Sequence, residues 1–306
     1  MKWNRFLKVA IMAVLLLTVG FARNSGIAMA SSGDGTSYNE KYGSPVVVYG
    51  AQLSAAQKEE VRKLLDVTDP STVREITATG ADLVTYIKGD PHSNMYSSAK
   101  ITRNDSGTGI VVNIVTPDNI TEVTKEMYAN ALLTAGVKDA DVEVASPIKV
   151  SGHSALVGIY KAYDTGNGTA LNKDRTEVAS EELGLATDLA KKDGLNSDKV
   201  SQLLTEIKQE IAAQHPATKE DIAKIIDDKL KSLNISLSPE DRQLLINLFD
   251  KMRSLNINFD NVKSQLDNLS QGIKQELEKA VGDKGFIQKV ANFFQKLIDA
   301  IKSLFS

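Results

Sequence analysis

The sequence predicts an α+β protein: a small mixed α/β sheet domain over residues 46–173, then an all-α helical domain over 174–282 and an amphipathic C-terminal helix over 283–306. Three observations predict it. Up to Lys173, short β-branched runs alternate with helical stripes. The run Asp164-Thr165-Gly166-Asn167-Gly168 is the clearest loop in the chain. After it the β-type runs stop, and apolar residues recur at three- and four-residue steps to the C-terminus.

The N-terminus reads as an address. Lys2, Arg5 and Lys8 precede an apolar run from Val9 to Phe21, and Ala28-Met29-Ala30 is a small-x-small stop. That order is a secretory signal peptide over residues 1–30, cleaved after Ala30. The apolar run is too short to span a hydrocarbon core of about 30 Å comfortably. The expected localisation is secreted or cell-envelope associated. Residues 31–45 are rich in Ser, Gly and Asn and read as a disordered leader.

Val46 to Tyr49 is a continuous apolar strand ended by Gly50. Ser54 caps the next helix, with Gln57 in the capping-box position and Val61, Leu64 and Leu65 as its buried stripe. Val73 to Thr77 is β-branched and predicts a strand, and Gly80 to Lys88 a short helix. Lys100 to Thr102 and Ile110 to Val115 flank Asn104-Asp105-Ser106-Gly107-Thr108-Gly109, which predicts a hairpin. A helix from about Thr124 ends at Gly136, and Val142 to Ala145 is a strand closed by Pro147. A further helix starts near Ser151, which would cap it.

In the second half, Glu177 to Lys192 is a helix stopped at Gly194. Val200, Leu203, Leu204, Ile207 and Ile211 mark the next one, which ends near His215-Pro216. Thr218 with Asp221 caps the following helix. Ser238-Pro239 starts another, with proline at the first helical position. Phe259, Val262, Leu266, Leu269, Ile273 and Leu277 form a last seam before the tail.

Composition narrows the function classes. The chain has no cysteine, which excludes a lipid anchor at a signal-peptide cysteine and leaves core packing to stabilise the fold. Without the signal segment the chain carries 32 basic and 39 acidic residues, a net charge near −7. Nucleic acid is therefore not an expected partner, because phosphate neutralisation needs a basic face.

Two blocks are distinctive. One runs Met127-Tyr128-Ala129-Asn130-Ala131-Leu132-Leu133-Thr134-Ala135-Gly136-Val137-Lys138-Asp139-Ala140, on through Val144-Ala145-Ser146-Pro147 to Val150-Ser151-Gly152. The other joins Ile235-Ser236-Leu237-Ser238 with Leu255-Asn256-Ile257. Together with Gly50-Ala51-Gln52-Leu53-Ser54, the chain from Val46 to Leu269 resembles the YpuA-like family of exported proteins of Gram-positive bacteria. This is a domain-of-unknown-function family. The resemblance implies an exported protein and supplies no catalytic or ligand residues to carry over.

The candidate chemistry is weak at every position. Ser151-Gly152-His153-Ser154-Ala155-Leu156 half resembles a nucleophile elbow, yet Leu156 stands where the second glycine belongs. The family pattern carries a small hydroxyl residue where this chain has His153. His92, His153 and His215 share no metal-ligand spacing. The loops Asn104 to Thr108 and Asp164 to Asp174 are Asp/Asn/Gly-rich, but Arg175 sits where a calcium loop needs its bidentate glutamate. Glu181-Glu182 and Asp227-Asp228 read as solvated, ion-paired helix faces. No catalytic, cofactor-binding or metal residues are assigned, and no cofactor is expected.

The tail is the sharpest remaining signal. Phe286, Ile287, Val290, Phe293, Phe294, Leu297, Ile298, Ile301, Leu304 and Phe305 fall on one wide face, and from Lys284 onward the net charge is +3. Docking on the preceding bundle or self-association is the preferred reading, and membrane-surface contact the other. The function expected from sequence is a non-catalytic binding or assembly module of the cell envelope, its partner a cell-wall or envelope component. The alternative is an envelope or cell-wall hydrolase using the sheet domain, with Ser154 or an acidic pair.

Overall fold

A computed structural model describes residues 42–165, 170–192 and 194–282. The signal segment, residues 31–41 of the leader and the tail from 283 on, with the readings attached to them, lie outside the described residues; the end of the leader, residues 42–45, is described, and the Pro45 carbonyl accepts the Arg74 amide at 2.8 Å. Among those described, five strands form one mixed sheet and nine α-helices surround and extend it, so the α+β class holds.

The sheet contains β1 (Val46–Gly50), β2 (Arg74–Ala78), β3 (Ser98–Arg103), β4 (Ile110–Ile114) and β5 (Ala140–Ala145), in the order β2-β1-β3-β5-β4. Two parallel β–α–β units flank its centre. In the first, α1 (Ala55–Leu64) links β1 to β2; in the second, α3 (Lys125–Ala135) links β4 to β5. β3 runs antiparallel to both β1 and β5 and joins the two halves.

The hairpin expected across residues 104–109 does not form, because β5 lies between β3 and β4. Asp139 explains the departure. Its carboxylate accepts the Gly107 and Gly109 amides at 2.9 Å each, and its carbonyl accepts the Asn104 amide at 2.7 Å. The loop is thus tied to the residue just before β5. β4 then pairs in parallel with β5 rather than folding back on β3.

Both sides of β1 are buried. Val47 and Tyr49 meet Val61 and Leu65 of and after α1 on one side. Val46 and Val48 join Ile101, Val142 and Val144 on the other, under α4 (His153–Thr165). The remaining helices are α2 (Gly80–Ile87), α5 (Lys173–Ala190), α6 (Ser197–Gln214), α7 (Lys219–Ser232), α8 (Pro239–Ser254) and α9 (Lys263–Gly282).

Helix α3 is the keystone of the packing. Every residue from Glu126 to Ala135 is buried, as expected of a helix enclosed on all sides. It packs on β4 and on α5, α6 and α9. One apolar core therefore runs from Val48 through Leu132 and Leu183 to Leu204, Ile226 and Phe249.

Candidate functional site

The main cleft lies between the open edge of β4, helix α3 and helix α9, with a volume of about 320 Å³. Its position follows from sheet order. β4 pairs only with β5, and the bonds Ala140 N–H to Gly109 carbonyl (3.0 Å) and Val115 N–H to Val144 carbonyl (2.8 Å) fix which residues face that partner. Backbone polarity alternates along a strand, so the groups of Ile110 and Val112 point the other way. Among the described residues they meet no backbone partner.

The apolar lining comes from Ile110, Val112, Ala129, Leu133, Leu269 and Ile273. Gly272 on α9 adds no side chain, and a Cβ built there would meet nothing within 4 Å. One end is charged: Lys125 reaches across from α3 to Glu276 of α9 at 2.6 Å and sits 3.4 Å from Glu126. The Glu276 hydrogen bond raises the Lys125 ammonium above its ordinary range. At the other end the side-chain oxygen of Gln265 is buried without a hydrogen-bond partner among the described residues. An apolar trough with unpaired strand amides suits an extended or helical peptide-like ligand. Sequence reasoning missed this cleft because it depends on β4 becoming an edge.

A second cleft, of about 300 Å³, gathers the tempting serine motif: Ser151, Gly152, His153 and Ser154 line it with Asp90 and Ser93. Gly152 is required here. Its φ is +104°, and a Cβ would come within 2.8 Å of Ile120 Cγ2 and the Tyr128 hydroxyl. The Tyr128 hydroxyl donates to the Gly152 carbonyl at 2.6 Å. Ser151 does not cap α4 as expected; its hydroxyl lies 3.1 Å from His153 Nδ1. His153 Nε2 lies 3.2 Å from Thr187 Oγ1, which itself donates to the Gly184 carbonyl. That network assigns the proton to Nε2 and leaves Nδ1 to accept from Ser151. Burial pushes the imidazole pKa down and favours the neutral ring. The hydroxyl on the imidazole is therefore Ser151, not Ser154.

The other candidates are placed apart. His92 is exposed in the α2–β3 loop, and His215 ends α6 in a left-handed conformation, with Asp260 3.9 Å away. Among the described residues no group of three His, Cys, Asp or Glu is placed to hold a metal ion. Asp164 accepts from the Leu171 amide, the Tyr86 hydroxyl and Lys173 at 2.7, 3.0 and 2.5 Å, so its carboxylate staples structure.

One acidic pair was misread from sequence. Glu181 is on a solvated face with Lys251, but Glu182 is 1% exposed and meets the fully buried Lys208 at 2.5 Å. Thr134 donates to Glu182 at 2.6 Å, and Lys208 donates to the Asn130 carbonyl at 2.8 Å. The signal was present: Lys208 stands four after Leu204 and three before Ile211, on the stripe itself.

A family model described as "Protein of unknown function (DUF1002)" matches residues 49–269. The chain is similar to "Uncharacterized protein YpuA" of Bacillus subtilis (strain 168), 37% identical over 269 residues, covering 86% of this chain and 90% of that protein. No solved structure matches.

Proposed function

This chain belongs to the DUF1002 family, and from that premise we propose that it is an exported, non-catalytic binding module of the cell envelope. The ligand-bearing surface is the cleft between β4 and α9. The observation that carries this reading is the open strand edge above an apolar trough, where the amides of Ile110 and Val112 and the buried side-chain oxygen of Gln265 have no partner among the described residues. The basic start, apolar run and Ala28-Met29-Ala30 stop support export and placement outside the cytoplasmic membrane. Among the described residues no helix is long and apolar enough to cross a membrane.

Cell fractionation tests the address, and recovery of the protein only in cytosol would overturn it. Co-sedimentation of purified protein with isolated envelopes tests the cleft. Gly272→Phe projects a ring into the trough and is expected to abolish pelleting while leaving the circular dichroism unchanged. Undiminished pelleting of that variant would place the binding surface elsewhere.

A hydrolase is the second reading, favoured by one observation: Ser151 donates toward the neutral His153 imidazole inside a cleft. Turnover of cell-wall material or simple esters that Ser151→Ala removes and Ser154→Ala spares would support it. Turnover surviving in both variants, or absent from the wild type, would remove it.

A further inference from the structure

We propose that the β4–α9 cleft takes an uncharged, extended segment of a partner protein as a sixth strand, paired edge to edge with β4. That pairing rests on the reading of the cleft as the binding surface. The two edges of the sheet are built differently. At the β2 edge Arg74 and Glu75 are charged, Glu75 is held by Arg62, and the Arg74 amide already bonds the Pro45 carbonyl. At the other edge Ile110 to Val115 hold no charge and no proline, the usual protections of an edge strand. The helical layer also reaches further than the sheet, because α9 lines the cleft beyond the open edge of β4. A Cβ built on Gly109 would lie 3.6 Å from Gln265 Cγ, and Lys125 ties down Glu276 at the far end. That length of α9 is about 16 Å, and the strand from Gly109 to Ile114 is also about 16 Å.

Backbone chemistry selects the occupant. The outward amides and carbonyls of Ile110 and Val112 recur at two-residue spacing, and among the described residues no backbone group bonds them. A chain with free backbone groups at the same spacing matches them, whereas a helix uses its own internally. Volume points the same way: a helix as long as the trough and about 10 Å across needs roughly four times the 320 Å³ present. A second copy does not fit. Its α3 packs on its own β4, and pairing the two edges about 4.8 Å apart would drive that helix into the place of α9. The pleat then sets the sequence of the segment. Alternate side chains turn onto Leu133, Leu269 and Ile273 and are apolar; those between turn to the side of Val111, which is 57% exposed, and are polar. Charge complementarity calls for no ion, because the strand is uncharged and Lys125 is already paired with Glu126 and Glu276. The buried Gln265 oxygen accepts a donor from the end of the segment.

The probe is a short fluorescein-labelled peptide of alternating valine and serine, and fluorescence anisotropy reads its binding to the full chain from Ser31. Saturable binding is expected. Val112→Pro deletes an outward amide, leaves the bonds from β4 to β5 in place, and is expected to weaken binding about tenfold. Because proline can disturb a strand, two further peptides carry N-methyl groups on either the valine or the serine amides. One set of amides faces β4 and the other faces water, so one methylated peptide is expected to lose binding and the other to keep it. No binding of the unmodified peptide, or equal binding of both methylated ones, overturns the proposal. A dimer that Val112→Pro dissociates overturns it in favour of a second copy. Peptide binding confined to a chain ending at Gly282 overturns it in favour of residues 283–306. Envelope pelleting keeps the strand pairing apart from the functional reading. Pelleting that Gly272→Phe abolishes, without peptide binding, would leave the cleft's role standing and remove the pairing. Peptide binding with undiminished pelleting of Gly272→Phe would leave the pairing standing and remove the envelope assignment.

Discussion

Lys208 and Glu182 pose the sharpest energetic question at the scale of single residues. Burial of a charge is costly, and desolvation pushes the Lys208 pKa down even though Glu182 beside it acts in the opposite sense. The pair persists because Thr134 and Asn130 complete its hydrogen bonds. Removing one partner leaves the other charge buried and alone. Glu182→Leu is therefore expected to destabilise the fold by about 3–5 kcal/mol, and the double variant Glu182→Leu with Lys208→Met by much less. Urea midpoints of the three proteins measure this, and equal losses in the single and double variants would refute the pair's coupling. His153 gives a pH prediction with a defined sign. Its pKa is lowered from an ordinary 6.5, so in the window just below 6.5 the unfolded chain binds the proton before the folded one does. Stability is full above 6.5 and falls as pH drops through that value toward the folded pKa. His153→Gln is expected to lose less stability between about pH 7.5 and pH 5 than the wild type; an identical loss in both would show that other groups set the acid limit.

At the scale of elements, local chemistry was legible and lateral pairing was not. Ser54 with Gln57 and Thr218 with Asp221 form the capping boxes their spacing implies, Thr124 and Ser238 cap their helices, and Gly136 closes α3 at φ +89°. These signals are decided within four residues of sequence. The partner of β4 is decided by Asp139, thirty residues past Gly109, and no local pattern reports it. The β4–α9 cleft was invisible for the same reason, since it needs α9 to meet β4 and α3, which lie more than a hundred residues earlier in the chain. Glu182 was misread differently: its charge suggested solvent, although it and its partner Lys208 each sit on an apolar stripe. Two glycines test the element-level reading with opposite signs. Gly272 in α9 has open space around it, so Gly272→Ala is expected to stabilise by up to about 1 kcal/mol through helix propensity. Gly136→Ala forces a side chain into a left-handed residue 3.2 Å from the Arg175 guanidinium and is expected to destabilise by about 1 kcal/mol or more. Thermal melts of both variants decide, and shifts of the same sign would contradict the geometry.

For the whole molecule, the question is whether sheet and helices can part. Sequence placed a boundary near Lys173, where the β-type runs end. The described residues on either side of it share one apolar core, and α3 supplies its centre. The same helix touches β4 on one side and α5 and α6 on the other. It also coincides with Met127 to Ala135, the block most specific to the family resemblance, so that block marks a packing centre before it marks any chemistry. An element shared in this way transmits damage in both directions. Leu132→Ala removes a fully buried side chain at that centre and is expected to cost about 2–5 kcal/mol. Its loss is expected to weaken sheet and helical bundle together. Amide exchange under mild denaturant follows the two regions separately, through β1 amides for the sheet and α7 amides for the bundle. Both sets should shift by the same free energy in Leu132→Ala, as in a single cooperative unit. A shift confined to β1, with α7 unchanged, would instead restore two independently stable domains meeting near Lys173.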